Sequence, residues 1–539
     1  MPPPVRVGLM TGGASVPRWT VRTLDQIDAC SVAELVGWVQ LWDARQPPAG
    51  IASARGGRSR LLFELYSQLD RRRFGGAAED LLAEVDVSRR LARVPVVRVE
   101  AHAEPVSQVK EWDLDVLLVL GHASAPDGVL ECARFGVWSY EPDREGDAAR
   151  APLFGEVYEN ASVAAAALHR FRAGAAGAEV IYASFSATDP LSLHRTRSRV
   201  YGKSGHFVVR KLRELHREGD LAVAEPLGQA LPPPIRRIPT NRRMLRFGGR
   251  LAVRLWRRKA LTMGGRQQWF LAYRRRVPGL PTSGTLGDAK LLVPPRDRFY
   301  ADPCLVDWGG ATYLFFEDYD FGTENGVISC CRLMPDGRST PPEVVLERPY
   351  HLSYPFVFFV GEEAFMLPET AANRTIELYK AGAFPGGWEP EAVLVNDIDA
   401  VDPTLLEHDG RFWLFANVAV DGASHDDELC LFSAATVRGP WQPHPANPVI
   451  SDVRRARPAG RPFLDDEGNL IRPSQDCSSA YGSAVVFSRV DELTEDRYRE
   501  VPIGRLGRGW RASNLGTHTY ARSDLWEALD GRAWVRRCR

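Results

Sequence analysis

The stretch FYADPCLVDWGGATYLFFED, residues 299–318, decides the fold of the C-terminal half of this chain. An Asp-Pro pair opens a β-rich run, Gly309-Gly310 supply a tight turn, and a second β-rich run follows, which is typical of a β-hairpin. Similar units recur downstream, so that their prolines lie at 303, 355, 403 and 462. A spacing of about 50 residues is the length of a propeller blade, and one blade cannot bury both of its faces alone. The sequence therefore predicts an all-β propeller over 286–525.

Two of the units place an acid before the proline, at Asp302 and Asp402, where the others carry Tyr354 and Arg461. An acid needed only to form the turn would be expected in every unit. Proline favours an extended residue before it, so it should aim both carboxylates in the same way. The first strands of blades line a propeller's axis, and we therefore expect both carboxylates to be catalytic groups there. The alternative is a structural turn or cap at the start of each strand.

Other polar residues of the same half complete the candidate site. Glycosyl chemistry needs a further group to handle the leaving oxygen. Glu369, which ends the second strand of its unit, is therefore the third predicted catalytic residue. The expected substrate-binding residues are Glu317, Tyr354, Arg461, Arg472, Asp476 and His518. Arginines beside acids suit a sugar that carries phosphate, and we expect neither a metal nor a cofactor.

The N-terminal half alternates short apolar runs with helical patterns. The predicted strands are 5–10, 35–41, 96–100 and 115–121, and the predicted helices are 60–74 and 126–135. Such alternation with buried strands is typical of a parallel, doubly wound α/β sheet. We expect one α/β domain over 1–220, so the chain as a whole is multidomain.

The stretch DVLLVLGHASAPDGVLECARFGVWSYEPDREGDAARAPLFGEVYENASVAAAALHRF (115–171) resembles the formyltransferase family that uses formyl-tetrahydrofolate, and the resemblance covers roughly 1–215. It implies a cleft in which an Asn and a His handle the attacking amine. Ser139 stands where the family has the Asn and Glu141 where it has the His, with Asp143 close by. A carboxylate of ordinary pKa replaces an imidazole poorly in proton transfer. We expect a degenerate domain that serves as a scaffold or binding module, although Glu141 and Asp143 in this cleft could bind a cationic amine for a changed reaction.

Between the two halves, 221–285 form a connector that contains prolines and is basic. From 236 to 276 there are fourteen Lys or Arg residues and no acid. Within 241–258, apolar residues recur at near-helical spacing among arginines, which predicts a basic amphipathic helix. The apolar residues are Leu245, Leu251, Leu255 and Trp256. Three interpretations stay open: contact with an anionic membrane surface, pairing of the arginines with acids of the flanking domains, and a disordered linker. The run 267–273 is predicted to be a strand, and 526–539 a C-terminal tail.

Composition limits the class of protein. A chain of 539 residues is long enough for two or three domains. Lys plus Arg and Asp plus Glu are equal at 68, which gives no reason to expect nucleic acid as a partner. We see no signal-peptide pattern at the N-terminus and no apolar run that reaches the roughly 18 residues of a membrane span. The eight cysteines form no CxxC pair, so we expect a reduced, cytoplasmic protein without structural zinc.

The C-terminal half, about 290–520, resembles the five-bladed propellers of the arabinanase/invertase superfamily. It is also similar to the N-terminal domain of plant glucosamine inositolphosphorylceramide transferases. The stretches that carry the resemblance are 299–318, YPFVFFVGEEAFMLPET (354–370), VDPTLLEHDGRFWLFAN (401–417), RGPWQPHPANPV (438–449), RPAGR (457–461) and RPSQDCSSAYG (472–482). In the hydrolases, a first-blade Asp is base or nucleophile, a third-blade Asp tunes pKa values, and a Glu of a later blade is the acid. Asp302 and Asp402 match the first two positions, whereas the acid has no clear counterpart.

The resulting expectation is a protein that processes a glycan or glycolipid at the propeller axis by glycosyl transfer or hydrolysis. Its expected partner is a glycan, a sugar phosphate or a lipid-linked sugar, with possible attachment at the inner face of a membrane through 241–258. Two other functions stay open: a sugar-amine N-formyltransferase whose propeller selects the glycan, and a non-catalytic glycan-binding assembly factor.

Overall fold

In the computed structural model the chain forms two compact units, Met1–Leu255 and Trp256–Arg539. The structure describes residues 2–42, 60–75, 80–100, 106–121, 127–140, 151–175, 177–223, 237–263, 265–281, 286–420 and 424–536. Within these ranges, no helix is long and apolar enough to cross a membrane.

The first unit is an α/β domain. Its strands are β1 (Val5–Thr11), β2 (Ser15–Pro17), β3 (Ala33–Trp42), β4 (Glu84–Asp86), β5 (Val96–Glu100), β6 (Val116–Leu120), β7 (Val137–Ser139), β8 (Val163–Phe171) and β9 (Glu179–Ala187). Its helices are α1 (Arg18–Ala29), α2 (Leu61–Phe74), α3 (Val106–Lys110), α4 (Phe154–Glu159), α5 (Leu193–Ser204), α6 (Phe207–Glu218) and α7 (Asn241–Met263). The boundary between the two units falls inside α7.

A seven-stranded sheet in the order β5-β3-β1-β6-β7-β8-β9 forms the centre of this unit. The four strands predicted from the sequence are β5, β3, β1 and β6, which lie side by side and parallel. Every residue of β6 is buried, as expected of a strand covered on both faces. The predicted helix 60–74 is α2, whereas 126–135 contains only a short 3-10 helix at Asp127–Glu131. The prediction of an α/β domain is confirmed.

The second unit is a propeller of five sheets. Its strands are β10 (Arg266–Arg275), β11 (Lys290–Leu292), β12 (Arg298–Trp308), β13 (Ala311–Asp320), β14 (Asn325–Leu333), β15 (Glu343–Leu346), β16 (Ser353–Val360), β17 (Glu363–Glu369), β18 (Thr375–Ala383), β19 (Gly386–Asn396), β20 (Ala400–His408), β21 (Arg411–Val418), β22 (Glu428–Ala434), β23 (Gln442–Pro443), β24 (Ile450–Ser451), β25 (Phe463–Leu464), β26 (Leu470–Asp476), β27 (Ala484–Leu493), β28 (Tyr498–Gly507), β29 (Tyr520–Arg522) and β30 (Trp526–Val535). Blades one to four are β12–β15, β16–β19, β20–β24 and β25–β28. The prediction of a five-bladed propeller is confirmed.

The fifth blade joins strands from opposite ends of the unit, in the order β11-β10-β30-β29. β10 pairs with β30 along its whole length, from Arg266 opposite Val535 to Arg275 opposite Trp526. The propeller therefore extends beyond the predicted bounds of 286–525, into the expected connector on one side and the expected tail on the other. Strands so far apart in sequence do not form a hairpin unit, so the repeat pattern could not reveal them. The pairing of β10 with β30 closes the ring between the two ends of the unit.

Three of the four residues before the prolines are not extended, contrary to the sequence-based expectation. Asp302, Tyr354 and Asp402 have φ angles of 54°, 44° and 53°. The strand pairing shifts at each of these places, so each residue and its proline form a bulge that breaks the regular alternation of side chains. Left-handed backbone is costly for a residue other than glycine, and more so before proline. The contacts of these side chains must therefore hold the bulges in place.

Candidate active site at the propeller axis

Asp302 lies in a row of charged groups with His518 and Asp530, which belong to the fifth blade and the segment before it. The ring of His518 is 2% exposed, with Nε2 3.1 Å from Asp302 Oδ1 and Nδ1 2.6 Å from Asp530 Oδ2. Burial alone would lower the pKa of His518, but the charges of Asp530 and Asp302 raise it to about 10. The imidazole is therefore a cation at neutral pH.

The same contacts keep Asp302 ionised. Burial alone would raise the pKa of Asp302, but the charge of His518 and hydrogen bonds from His518 and Thr519 hold it below its ordinary value. The Thr519 hydroxyl donates to Asp302 Oδ1 over 2.9 Å. Asp302 is thus an oriented carboxylate that carries its charge at neutral pH.

Asp402 is held by an arginine and an amide from the fourth blade. Arg457 donates from Nε to Asp402 Oδ2 over 2.6 Å and from Nη2 to Oδ1 over 3.4 Å. Gln475 Nε2 donates to the same Oδ2 over 2.9 Å. The forked pairing of guanidinium and carboxylate fixes both groups in position. The Arg457 side chain is 11% exposed, and its Nη1 also lies 3.2 Å from Asp426 Oδ1.

Glu317 and Glu369 are the two carboxyl groups of the cluster whose environment favours the protonated form. Burial, together with the charge of Asp302, raises the pKa of Glu317 well above its ordinary value. Burial and the charge of Asp402 do the same to the pKa of Glu369, although the nearby charge of Arg457 opposes the rise. Glu369 Oε2 also accepts a hydrogen bond from the backbone N–H of Asp402 over 3.3 Å.

The cluster thus combines an ionised carboxylate, Asp302, with two carboxyl groups that tend to stay protonated. Carboxyl groups whose pKa values are pushed apart by their surroundings can divide the roles of acid and base at a glycosidic bond. The predicted catalytic residues Asp302, Asp402 and Glu369, with Glu317 and His518, all belong to this cluster.

The cluster is open to solvent on the side of three partly exposed residues. Tyr481 is 38% exposed, and its ring lies under the Arg457 guanidinium at 4.8 Å. The Asp426 side chain is 26% exposed, and that of His351 is 35% exposed with Nε2 3.5 Å from Glu317 Oε1. A ligand entering here would meet an aromatic face and several hydrogen-bonding groups, as sugars require.

Tyr354 and Arg461 hold the blades together. The Tyr354 hydroxyl lies 2.9 Å from Thr404 Oγ1 and accepts a hydrogen bond from Gly460 N over 2.7 Å, so one phenol links three blades. Arg461 donates to the carbonyl of Val357 and lies over a phenylalanine ring. Both line, together with Asp302, a cavity of about 20 Å³, which suits a single water molecule and is too small for a sugar.

Arg472 and Asp476 are engaged elsewhere in the fourth blade. The Arg472 guanidinium is completely buried and donates to Glu500 from Nε over 2.6 Å and from Nη2 over 2.8 Å. Asp476 accepts hydrogen bonds from Ser478 and lies 3.0 Å from Arg505 Nη2. Neither residue joins the carboxylate cluster.

Of the three residues predicted for the N-terminal cleft, the structure describes only Ser139. It ends β7 and is 8% exposed. Glu141 and Asp143 lie outside the described residues.

Four residues of the cluster were missed as site residues in the sequence: Arg457, Gln475, Thr519 and Asp530. Arg457 and Gln475 were visible in RPAGR and RPSQD, but no spacing rule separates them from their neighbours Arg461 and Arg472. Asp530 fell in the expected tail. Only the closure of the ring brings it to the axis.

Asp302, His518 and Asp530 also offer ligand atoms that lie within 4.8 Å of one another, close enough to hold a metal ion. The observed ion pairs are an alternative arrangement, in which a protonated His518 supplies the positive charge between the two carboxylates.

Comparisons with known proteins concern the propeller region. Residues 292–516 match the family model described as glucosamine inositolphosphorylceramide transferase 1, N-terminal. Glucosamine inositolphosphorylceramide transferase 1 of Oryza sativa subsp. japonica is 37% identical over 210 residues, which are 38% of this chain and 28% of the rice protein. The Arabidopsis thaliana protein of the same name is 35% identical over 210 residues, 38% of this chain and 27% of its own length. The chain thus spans little more than a quarter of these relatives.

Solved structures give more distant matches. Zg3597, a family 117 glycoside hydrolase of Zobellia galactanivorans, matches with a TM-score of 0.32 and 12% identity, over 49% of this chain and 90% of its own. A thermostable family-43 glycoside hydrolase matches with a TM-score of 0.31 and 12% identity, over 40% of this chain and 81% of its own. Scores this low carry no argument about function. The C-terminal region is therefore similar to one domain of the transferase family, and it has the propeller fold.

Proposed function

We propose that this protein is carbohydrate-active and that its propeller binds a glycan or the sugar head of a glycolipid at the axis, where a glycosyl group is transferred or hydrolysed. The observation that carries the proposal is the cluster of carboxyl groups with divergent pKa values, Asp302 lowered and Glu317 and Glu369 raised. The 37% identity to proteins named glucosamine inositolphosphorylceramide transferases supports a lipid-linked sugar as substrate.

The residues take separate roles in this proposal. Glu369, protonated, gives its proton to the oxygen that leaves the anomeric carbon. Asp302, ionised and held by His518, faces the positive charge that develops on the sugar ring. It takes the proton of the water or acceptor hydroxyl that bonds to the anomeric carbon in place of the leaving oxygen. Asp402 does not need to touch the sugar. Its charge raises the pKa of Glu369, and its pairing with Arg457 keeps both side chains in position.

The test replaces each carboxylate by its amide. Asp302→Asn and Glu369→Gln should abolish turnover of glycolipid or oligosaccharide substrates, while ligand binding per folded molecule is altered by no more than about tenfold. Matched controls are Glu363→Gln, an exposed acid on the same strand as Glu369, and Asp409→Asn, an acid in a hairpin turn whose side chain is 88% exposed. Full turnover in both site variants would reject the catalytic role. Sugar binding that survives while wild-type protein shows no turnover would favour the assembly-factor function.

For the N-terminal unit we propose a scaffold or binding module without formyl transfer. The support is chemical: Ser139 at the end of β7 cannot take the part of the amide expected there, and no imidazole occupies position 141. A formyltransferase acting on a sugar amine is the competing function, and it requires affinity for formyl-tetrahydrofolate.

A further inference from the structure

Helix α7 docks on the first unit with a face that the sequence did not single out. Met244 and Phe247 are buried, whereas Leu245, Leu255 and Trp256 of the predicted apolar face are exposed. The Phe247 ring lies 5.3 Å from that of Phe154 on α4 and 5.1 Å from that of Tyr66 on α2. Of the apolar residues that the sequence pattern selected, Leu251 packs against this cluster, whereas the buried Met244 and Phe247 were not selected.

Two arginines of α7 belong to this docked face. Arg254 donates to the carbonyls of Val157 and Tyr158 at the end of α4, over 2.8 and 3.0 Å. Arg250 Nη1 lies 3.2 Å from Glu159 Oε2, and its guanidinium covers the Tyr158 ring at 4.5 Å. Cations at the C-terminus of a helix satisfy its last carbonyls and its dipole. Arg250 and Arg254 therefore help to dock α7 on the first unit.

The opposite face of α7 is apolar, and none of the described residues covers it. Trp256 is 69% exposed and Leu245 68% exposed, and both Val253 and Leu255 are 49% exposed. Leu245 and Trp256 are eleven residues apart, about three turns, so they lie on one stripe. Arg242, Arg246 and Arg257 recur along the flank of this stripe and are exposed, and α7 contains no acid.

A second apolar stripe runs along α2, which packs beside α7. Leu61, Leu65 and Leu69 follow one another at intervals of four residues and are 54%, 52% and 55% exposed. The backbone N–H of Leu62 donates to Asn241 Oδ1 over 3.1 Å, which joins the first turns of the two helices. Leu62, which follows Leu61, packs against the cluster that contains Phe247, so the leucine stripe flanks the side of α2 that contacts α7.

We propose that the exposed stripes of α2 and α7 form a surface that lies on an anionic phospholipid bilayer. Large exposed apolar side chains mark an interaction surface. An exposed Trp between leucines and arginines is the composition of a helix at a lipid interface, where the rings and aliphatic chains enter the head-group region and the cations meet acidic phosphates. The absence of acids from α7 selects a negatively charged partner. This proposal rests on the helices alone and stands whether or not the propeller is catalytic.

The experiment is sedimentation of the full chain with vesicles of phosphatidylcholine containing phosphatidylserine, compared with phosphatidylcholine alone. The protein should bind the anionic vesicles at low ionic strength, be released as salt is added, and ignore the neutral ones. Arg242→Gln, Arg246→Gln and Arg257→Gln combined should weaken binding roughly a hundredfold, because each basic residue near the surface is worth about a factor of five. Trp256→Ser, and Leu61→Ser with Leu65→Ser, should each weaken it as well.

A control with the same loss of charge combines Arg338→Gln, Arg374→Gln and Arg499→Gln, whose side chains are 82%, 58% and 67% exposed on the propeller. It should bind as the wild type does. If this control loses vesicle binding to the same extent, the effect depends on net charge and not on the stripes, and the proposal is overturned. The proposal also fails if the stripe variants keep full vesicle binding. It fails as well if the protein self-associates in sedimentation equilibrium and Trp256→Ser abolishes that self-association, because a second copy of the chain would then cover the stripe. Circular dichroism of each variant shows that loss of binding is not loss of fold.

Discussion

The buried His518 cation should make the stability of the propeller depend on pH in an unusual window. A group whose pKa is raised by folding stabilises the protein below its ordinary pKa and loses that contribution as pH rises through the folded value. For His518 these values are 6.5 and about 10. The difference corresponds to about 5 kcal/mol at its full extent, lost at about 1.4 kcal/mol per pH unit between them.

The measurement is the free energy of unfolding of the propeller transition in urea, followed from pH 6 to pH 10. Glu317 and Glu369 also have raised pKa values, so they too stabilise the fold at low pH. Their contribution to stability begins to decrease at a lower pH than that of His518, and it is present in the wild type and in both variants. His518→Gln removes the titrating ring, so the variant should be less stable at neutral pH and should lose this part of the slope. His408→Gln, on the third blade, should keep it. If wild type and His518→Gln lose stability in parallel between pH 6 and pH 10, His518 is not a cation in the folded protein. The proposal that His518 keeps Asp302 ionised would then be wrong.

Three further outcomes follow from the contacts described above. Arg472→Ala leaves the buried Glu500 with Tyr498 and the more distant Arg455 and without its forked partner, and should cost about 3–5 kcal/mol in urea unfolding, while sugar binding per folded molecule stays unchanged. Weakened binding with full stability would instead restore Arg472 to the site. Gly460→Ala should destabilise the propeller strongly, since an added Cβ would lie 2.0 Å from the Tyr520 carbonyl oxygen at a φ of 121°, and a melting temperature within a degree of wild type would contradict this. Isothermal titration with formyl-tetrahydrofolate should show no binding to the full chain, and micromolar affinity would return formyl transfer to the N-terminal unit.

The propeller could be predicted because its turns and prolines repeat at blade length. The repeat located Asp302 and Asp402 at equivalent places, and their positions in the structure are equivalent, both in bulges with positive φ. The conformation itself was not predictable, because the rule for a residue before proline describes an unconstrained chain. Here His518 and Thr519 hold one bulged side chain, and Arg457 and Gln475 hold the other.

The sequence alone could not identify the residues that bind Asp302 and Asp402. An arginine can serve a carboxylate at the axis, as Arg457 does, or one inside a single blade, as Arg472 does, and both stand in similar Arg-Pro contexts. Only burial and geometry distinguish them. Helix α7 shows the same limit. Its spacing predicted a helix and grouped Leu245 and Trp256 on an apolar face, but it did not single out Met244 and Phe247, which are the buried residues.

The closure of the ring by β10 and β30 has a consequence for the order of events in folding. These strands lie about as far apart in sequence as the unit permits, so the loop-closure entropy of joining them must be overcome before the fifth blade can form. Asp530 lies in that blade and His518 in the segment just before its strand β29, so Asp302 meets them only when the blade is in place. Synthesis from the N-terminus therefore yields four blades with an unfinished axis until the last strand emerges. A fragment limited to 292–516 would retain the repeats and lack the strands that close the ring, so the apolar face of the first blade that packs on the fifth blade would be exposed to other chains.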